Sequence, residues 1–268
     1  MNTRFPSPHR SILAVANQKG GVGKTTTAVN LGAALAQVGQ HVLVVDLDPQ
    51  ANATSALGVD KGKVERSIYE ALIGQAGLAE VIVSTGWERL DLAASAIRLA
   101  GAEIEMVGLM AREQRLRRTL SDVVANYDVI LIDCSPSLGL LTVNALTAAD
   151  GILIPIQCEY LALEALGQLT STINLIRDNL NPKLDIAGIL MTMFDARTNL
   201  SQQVVDEVRA HFPTLVFDTV IPRSVRLSEA PSYGQPILYY DPPSRGAVAY
   251  RNLAAELIAR LERLTDQN

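Results

Sequence analysis

Residues 18–26 read Gln-Lys-Gly-Gly-Val-Gly-Lys-Thr-Thr and place three glycines, two lysines and two threonines shortly after an apolar run. Backbone N–H groups can hold a polyphosphate only where the chain approaches it closely, and Gly20, Gly21 and Gly23 lack the Cβ atoms that would block this approach. The stretch therefore predicts a phosphate-binding loop. The residues that we expect to contact a nucleotide are Lys19, Gly20, Gly21, Val22, Gly23, Lys24, Thr25 and Thr26.

The end of this loop indicates what the site would do. Lys24 is placed to pair with β- and γ-phosphates, and the Thr25 hydroxyl is placed to ligate Mg²⁺ directly. Apolar residues then recur at three- and four-residue spacing as far as Gly39. This pattern predicts a helix whose N-terminal dipole faces the phosphates.

The loop departs from the plain phosphate-binding pattern at two positions. Gln18 stands where that pattern has glycine. Lys19 adds a cation that one nucleotide does not need, because the backbone amides and Lys24 already serve it. Lys19 is either a solvated loop lysine or a second cation that stabilises transition-state charge in the manner of an arginine finger.

Three aspartates, Asp46, Asp48 and Asp133, stand at the ends of continuous Val, Ile and Leu runs. Ligands of an open α/β sheet bind beyond the carboxyl ends of its strands, so these carboxylates are expected at the site. Asp133 is predicted to hold Mg²⁺ through water, with helix capping as the alternative, and Asp46 or Asp48 to orient an attacking water. The loop at residues 135–139 is expected to sense the γ-phosphate.

Seven apolar runs are predicted to form strands with helices between them. Most of them are continuous rather than alternating with polar residues, which is typical of a parallel sheet buried on both faces. We therefore predict an α/β fold with a doubly wound, mostly parallel sheet and helices on both faces. Ser67 and Glu70 have the spacing of a capping box at a further helix. The predicted strands are residues 11–17, 41–47, 89–93, 129–134, 151–157, 186–193 and 216–221, and the clearest later helices are residues 161–178, 200–211 and 247–264.

The chain has 268 residues, of which 48% are hydrophobic, and a formal net charge of −5. We predict a flexible tail over residues 1–10 and a single domain over residues 11–268. No apolar run approaches membrane-spanning length, so a cytoplasmic location is expected. The net charge argues against a uniformly basic nucleic-acid binder, so DNA binding would need a local patch. Cys134 and Cys158 are expected to be buried free thiols.

Several segments of the chain resemble the MinD/ParA ATPases. Residues 19–26 are similar to the deviant Walker A motif of these P-loop NTPases, and residues 45–50, Val-Asp-Leu-Asp-Pro-Gln, to their switch I segment. Residues 193–199 and 221–231 narrow the resemblance to the chromosomal ParA (Soj) partition ATPases. The similarity runs from about residue 11 to 260. The family often has glycine at Ala51, asparagine at Ser224 and proline at Ser135.

This resemblance implies an ATPase with ATP and Mg²⁺ as cofactors, which forms an ATP-sandwich homodimer. Lys19 would cross to the nucleotide of the other subunit, which explains the surplus lysine. By the same resemblance, Asp48 positions the hydrolytic water, while Asp46 and Asp133 act on Mg²⁺ through water. Pro222 together with Ser224 would lie along the adenine.

The resemblance also implies partners. ParA dimers bind double-stranded DNA without sequence preference, and the matching positions are Arg197 and Arg226, with Arg223 nearby; each arginine by itself could also be a solvated surface charge. Arg117 and Arg118 are weaker candidates, because the arginines around them spread over a predicted helix instead of forming one stripe. A ParB-like centromere-binding protein is the expected activator of hydrolysis, and the location is expected to be nucleoid-associated.

Three other functions are alternatives at this stage. A MinD-like membrane-cycling ATPase would need a basic amphipathic C-terminal anchor, whereas the chain closes with the polar and acidic residues 264–268, so no stable membrane association is expected. An electron-transfer ATPase would need Cys134 and Cys158 as iron–sulfur ligands, but they lack the glycine-flanked setting of that family. A non-catalytic nucleotide-binding scaffold is disfavoured by the intact set of Lys24, Thr25 and the aspartates.

Overall fold

The computed structural model describes residues 10–160 and 162–265. Apart from Arg10, the predicted N-terminal tail lies outside the described residues. The described part contains one seven-stranded sheet with the strand order β3-β4-β2-β5-β1-β6-β7. The strands are β1 (Ser11–Val15), β2 (Val42–Leu47), β3 (Ile82–Ser84), β4 (Leu90–Ala93), β5 (Val129–Cys134), β6 (Gly151–Gln157) and β7 (Asp185–Thr192).

Twelve α-helices of the described residues connect or follow these strands. All neighbouring strands pair in parallel except β3, which pairs with β4 in the antiparallel sense. The helices are α1 (Lys24–Gln37), α2 (Asn52–Ala56), α3 (Ile68–Ile73), α4 (Leu78–Val81), α5 (Leu99–Glu105), α6 (Arg115–Ser121), α7 (Leu140–Ala148), α8 (Ala162–Asn179), α9 (Asn199–His211), α10 (Val225–Glu229), α11 (Ile237–Tyr240) and α12 (Arg245–Thr265).

The sheet is covered on both faces by helices, which confirms the predicted doubly wound α/β class. Side chains alternate across each strand, so that Leu43 and Val45 pack on one face of the sheet while Val42 and Val44 pack on the other. Helices α3 to α9 contribute to the first core, and α1, α2 and α10 to α12 contribute to the second. Burial on both faces explains why the strands are apolar without alternation.

The predicted strand at residues 216–221 is wrong. This segment forms one parallel bridge, between Ile189 and Val216, and is not part of a named strand. The N–H groups of Asp218 and Thr219 instead donate to the Glu256 carboxylate of α12, at 2.8 and 3.0 Å. Since a side chain takes these donors, a continuous strand ladder cannot form beyond the bridge. Strand β3, which was not predicted, has only three residues and so carries no periodic signal.

A predicted feature whose partners are close together in the chain is confirmed. The predicted capping box is present, because the Ser67 N–H donates to Glu70 Oε2 at 2.7 Å and the Ser67 hydroxyl accepts from the Tyr69 N–H.

Among the described residues, no helix is both long enough and apolar enough to cross a bilayer. Cys134 and Cys158 are buried free thiols, as predicted.

Candidate functional site

The glycine-rich loop joins β1, near the centre of the sheet, to the N-terminus of α1. Gly21 and Gly23 have φ angles of 76° and 91°, a left-handed backbone that glycine adopts without strain. A Cβ atom at Gly20 or Gly21 would meet no other atom within 4 Å, so this side of the loop is open. The loop is thus open to solvent beside a helix N-terminus, a place where backbone N–H groups commonly bind anions.

Lys24 is buried at the first turn of α1, and its Nζ donates to the carbonyl oxygen of Lys19 at 3.0 Å. Burial lowers the pKa of Lys24, whereas the nearby negative charge of Asp133 raises it. The structure therefore brings Lys24 into the electrostatic reach of a carboxylate that follows it by more than a hundred residues. A bound phosphate would provide a further anionic partner at this position.

Lys19 lies on the exposed outer part of the loop and contacts its own chain. Its Nζ forms an ion pair with Glu159 Oε2 at 2.7 Å, with both side chains a little under half exposed. Its backbone N–H donates to Asn17 Oδ1 at 3.0 Å. Lys19 is therefore not a freely solvated lysine in this conformation.

Asp46 and Asp133 are neighbours in the parallel pairing of β2 with β5, and both are fully buried. Asp46 is well hydrogen-bonded: its Oδ2 accepts from the N–H and the hydroxyl of Thr54, both at 2.7 Å, and its Oδ1 accepts from the Asp48 N–H at 3.2 Å. Burial raises the pKa of Asp46 to about 6, although the Thr54 hydrogen bonds lower it. Asp46 is thus oriented by the backbone of the next segment.

Asp133 differs from Asp46, because neither of its carboxylate oxygens has a hydrogen-bond partner among the described residues. Burial raises the pKa of Asp133, and the negative charge of Asp46 raises it further. The Thr25 hydroxyl, which lies close to the carboxylate without forming a hydrogen bond of normal geometry, and the positive charge of Lys24 lower it. Buried carboxylates normally have partners, so this orphaned pair of oxygens needs a ligand. Water molecules on a metal ion would supply the missing donors.

The residues around Asp133 are of the types that suit Mg²⁺, and their assignment as its ligands stays a prediction. Mg²⁺ keeps several of its waters and uses few protein oxygens, and Thr25 and Asp133 offer a hydroxyl and an acceptor for such waters. The described residues contain no cluster of three or more His, Cys, Asp or Glu side chains that could hold a metal by themselves. The site therefore suits a cation that is shared with phosphate groups, and does not suit a closed protein cage.

Asp48 lies just beyond the end of β2, so the strand does not persist to align it with Asp46. Its Oδ1 accepts from the Gln50 N–H at 2.9 Å, and its carbonyl accepts from the Ser95 hydroxyl at 2.7 Å. The following Ala51 is buried and has a φ of 55°, a left-handed conformation for a residue other than glycine. This conformation explains physically why glycine suits position 51.

Pro222 and Ser224 line a cavity of about 330 Å³ beside the loop. Gly23 and Thr26 form part of the same wall, so the cavity is continuous with the phosphate-binding segment. Its size is at the lower end of the range for small-molecule sites. Met193, also in the lining, has a φ of 52°, and such strained backbone is commonly found at binding sites. The other lining residues are Thr192, Ile221, Arg223, Leu227, Ser228, Pro231 and Tyr250.

The predicted DNA-contacting arginines are exposed, but two of them already have carboxylate partners. Arg197 forms a two-pronged ion pair with Asp195, through Nε at 2.9 Å and Nη2 at 2.7 Å. Arg226 pairs with Glu229 at 3.0 Å and with Asp241 at 3.3 Å. The Arg197 side chain holds the pKa of Asp195 well below its usual range, and Arg223 contributes in the same direction. DNA phosphates would have to compete with these carboxylates.

Arg117 and Arg118 are exposed on α6, and they form no ion pair with the described residues.

Three residues that shape the site were not predicted from the sequence. Asn17 ties the loop to the carbonyl of Pro155 at 2.8 Å, Thr54 orients Asp46, and Glu159 binds Lys19. Only Asn17 carried a signal in the sequence, as a polar residue at the end of the predicted first strand.

Comparisons with known proteins agree with this geometry. A family model described as an AAA domain matches residues 10–186. The chain is 58% identical over 248 residues to the sporulation initiation inhibitor protein Soj of Bacillus subtilis, which covers 92% of this chain and 98% of Soj. It is 52% identical over 249 residues to the chromosome partitioning protein ParA of Myxococcus xanthus, covering 93% and 88% of the two chains.

Among solved structures, the chain is similar to one described as cobyrinic acid a,c-diamide synthase from Mycobacterium smegmatis with bound ATP analogue and magnesium. The sequences are 40% identical, the TM-score is 0.83, and the match covers 94% of this chain and 96% of that one. The similarity therefore includes nearly the whole fold and both cores.

Proposed function

This chain belongs to the family of the Soj and ParA chromosome-partitioning proteins, and we propose that it is a Mg²⁺-dependent ATPase that partitions DNA. ATP binding would assemble a homodimer that binds double-stranded DNA without sequence preference. Hydrolysis to ADP and phosphate, stimulated by a ParB-like partner, would release the DNA. The expected location is the cytoplasm, in association with the nucleoid.

The observation that carries the proposal is the orphaned Asp133 carboxylate beside the phosphate-binding loop. Both of its oxygens are buried without partners among the described residues, while Lys24 lies within its electrostatic influence. Thr25 would hold Mg²⁺ directly, and Asp46 and Asp133 would hold it through water; the ion would supply positive charge beside the phosphates. A purely structural carboxylate would not be expected to remain buried and unpaired.

The other residues of the site divide the remaining tasks. The Lys24 ammonium and the N–H groups of the loop would hold the β- and γ-phosphates at the helix N-terminus. Asp48 would orient the attacking water and accept a hydrogen bond from it, because Asp48 lies just beyond the carboxyl end of β2, next to Asp46. Pro222 and Ser224 would flank the adenine in the cavity that begins at Gly23.

Lys19 would act on the nucleotide of the partner subunit, where a second cation stabilises the charge of the transition state. This role explains why the loop carries two lysines although one nucleotide needs only Lys24. Lys19→Ala should therefore prevent both ATP-dependent dimerisation and hydrolysis, measured by sedimentation and phosphate release. A variant that dimerises and hydrolyses ATP like the parent protein would exclude the sandwich dimer.

DNA binding would use Arg197, Arg223 and Arg226, which are exposed on loops and a short helix. Guanidinium groups can contact phosphates in a bidentate manner, and a dimer would present two copies of the patch. Arg117 and Arg118 remain weaker candidates for the same surface.

The MinD-like alternative gains no support, because Leu253 and Leu257 of α12 are fully buried in the core. Residues 266–268, part of the polar ending, lie outside the described residues.

Co-sedimentation with duplex DNA in ADP, ATP or a non-hydrolysable ATP analogue tests the cycle. We expect DNA retention with ATP and the analogue but not with ADP. Arg197→Glu and Arg226→Glu should abolish retention and leave ATP-induced dimerisation intact, whereas Arg66→Glu, an exposed and ion-paired arginine elsewhere, should retain DNA. Retention that does not depend on ATP would contradict the proposed cycle, and unchanged, salt-sensitive binding in both patch variants would contradict the assignment of the arginines.

A further inference from the structure

We propose that Glu159 is a positioning residue that holds Lys19 within its own protomer until ATP-driven dimerisation transfers this lysine to the partner's nucleotide. The proposal rests on the proposed function, because it assumes that Lys19 acts across the dimer. It adds a residue outside the phosphate-binding loop that controls when the lysine becomes available.

The contact itself is short and specific. Lys19 Nζ lies 2.7 Å from Glu159 Oε2, which is the length of a charge-assisted hydrogen bond. An ammonium that is bound to a carboxylate of its own chain is held in place by it, and part of its charge is already neutralised. Binding of Lys19 to a phosphate in the partner site therefore competes with this ion pair.

Both sides of the ion pair are anchored to the fold. On the lysine side, Asn17 accepts from the Lys19 N–H and donates to the Pro155 carbonyl, so the loop is tied to β6. On the other side, the Glu159 carbonyl accepts from the N–H of Ala162, the first residue of α8. The turn between β6 and α8 thus places the carboxylate opposite Lys19, and the pair is not a chance meeting of two flexible side chains.

Nucleotide binding is linked to this ion pair through Lys24. Lys24 Nζ donates to the Lys19 carbonyl oxygen at 3.0 Å, so both lysines help to hold the same loop conformation. Phosphate groups at the loop would compete with that carbonyl for the Lys24 ammonium. Loss of this hydrogen bond would free the Lys19 backbone on one side, which makes exchange of Glu159 for a phosphate partner easier.

The size of the effect follows from the exposure of the pair and from symmetry. A partly exposed ion pair changes an equilibrium by roughly two- to fivefold. A symmetric dimer breaks two such pairs, so their contributions multiply. Removing the Glu159 charge should therefore lower the dimer dissociation constant by roughly four- to twenty-five-fold.

Sedimentation velocity of the full chain with a non-hydrolysable ATP analogue, over a range of protein concentrations, tests the proposal. We expect Glu159→Gln to dimerise at lower protein concentration than the parent protein. The matched control is Glu88→Gln, which makes the same charge change and breaks the exposed Arg89–Glu88 pair just before β4, at the opposite edge of the sheet from the loop. This control should dimerise like the parent protein.

A second comparison separates release of Lys19 from a general effect of charge. Glu164→Gln removes a charge from the first turn of α8 and leaves the Lys19–Glu159 pair intact, so it should dimerise like the parent protein. A gain equal to that of Glu159→Gln would assign the effect to charge alone. If the parent protein dimerises with the analogue and Glu159→Gln dimerises equally well or more weakly, the role of Glu159 is overturned while the sandwich dimer stands. A parent protein that stays monomeric with the analogue would instead overturn the proposed sandwich dimer, and with it this role.

Discussion

Asp133 and Asp46 are paired neighbours in the sheet, yet they differ in the hydrogen bonds that their carboxylates receive. Three donors satisfy Asp46, whereas neither Asp133 oxygen has a partner among the described residues. A buried carboxylate without hydrogen-bond donors is unfavourable, which is why burial raises the pKa of Asp133, and we expect the proposed Mg²⁺ site to supply the missing donors. The same substitution should therefore have opposite effects on stability at the two positions.

We expect Asp133→Asn to raise the melting temperature of the nucleotide-free protein, since it removes a buried carboxyl group whose ionised form lacks hydrogen-bond donors. Each kcal/mol recovered corresponds to roughly 2–4 °C in a chain of this size. Asp46→Asn should lower the melting temperature, because its amide group would face one of the donors that now bind a carboxylate oxygen. Thermal unfolding with EDTA measures both, and added Mg²⁺ and ATP should stabilise the parent protein much more than Asp133→Asn. A destabilised Asp133→Asn would argue that its oxygens have a partner.

At the residue scale, the sequence could predict the groups that lie together in the chain or at equivalent strand ends. The loop lysines, Thr25 and the aspartates are of this kind, because a parallel sheet brings its strand ends to one edge. Glu159 and Thr54 could not be predicted. The first lies 140 residues from its partner Lys19, and the second orients Asp46 only because α2 folds back over the strand end.

The segment between α10 and α11 is held against α2 by a contact between two glycines. Gly58 and Gly234 both have left-handed backbones, with φ angles of 82° and 63°, and a Cβ on Gly234 would lie 2.8 Å from the Gly58 Cα. Gly86 is a matched control, because its φ is 80° but a Cβ there would meet nothing within 4 Å. The two positions share backbone strain and differ in packing.

We expect Gly86→Ala to lower the free energy of unfolding by about 1–2 kcal/mol, the cost of a left-handed alanine. Gly234→Ala should lower it further, because the backbone at Gly58 must also shift. It should weaken binding of an ATP analogue as well, since Pro231 in the same turn lines the cavity. Urea unfolding and nucleotide titration measure the two effects. Equal losses in both variants would mean that the glycine contact contributes nothing beyond strain.

Helices and strands could be predicted from the sequence where a local pattern of apolar residues determines them. The long buried strands are continuous apolar runs, and the amphipathic helices α9 and α12 have clear helical periodicity. The observed bounds of these elements are within two residues of those predicted. The segment at residues 216–221 is apolar enough to resemble a strand, but Glu256 of α12 takes two of its N–H donors. Competition from a distant side chain is invisible in a local pattern.

The whole molecule is acidic, with a net charge of −5, and must therefore bind DNA through a restricted patch if it binds at all. The patch arginines are partly neutralised by Asp195, Glu229 and Asp241 in this conformation. A monomer would offer few free cations to a duplex, whereas a dimer would double the number of phosphate contacts. This balance is the reason why, in the proposed cycle, we expect DNA affinity to depend on the oligomeric state.

The number of contacts between the protein and DNA phosphates can be measured from the salt dependence of DNA binding. Each neutralised phosphate contributes about 0.9 to the slope of log K against log salt concentration. If Arg226 contacts one phosphate in each protomer, Arg226→Gln should reduce the slope by about 1.8, and by about 0.9 if only one protomer engages. The matched control is Arg66→Gln, because Arg66 and Arg226 are 59% and 57% exposed and both have a glutamate partner. Anisotropy of a labelled duplex, measured with a non-hydrolysable ATP analogue at several salt concentrations, gives the slope, and an unchanged slope in Arg226→Gln would remove this arginine from the interface.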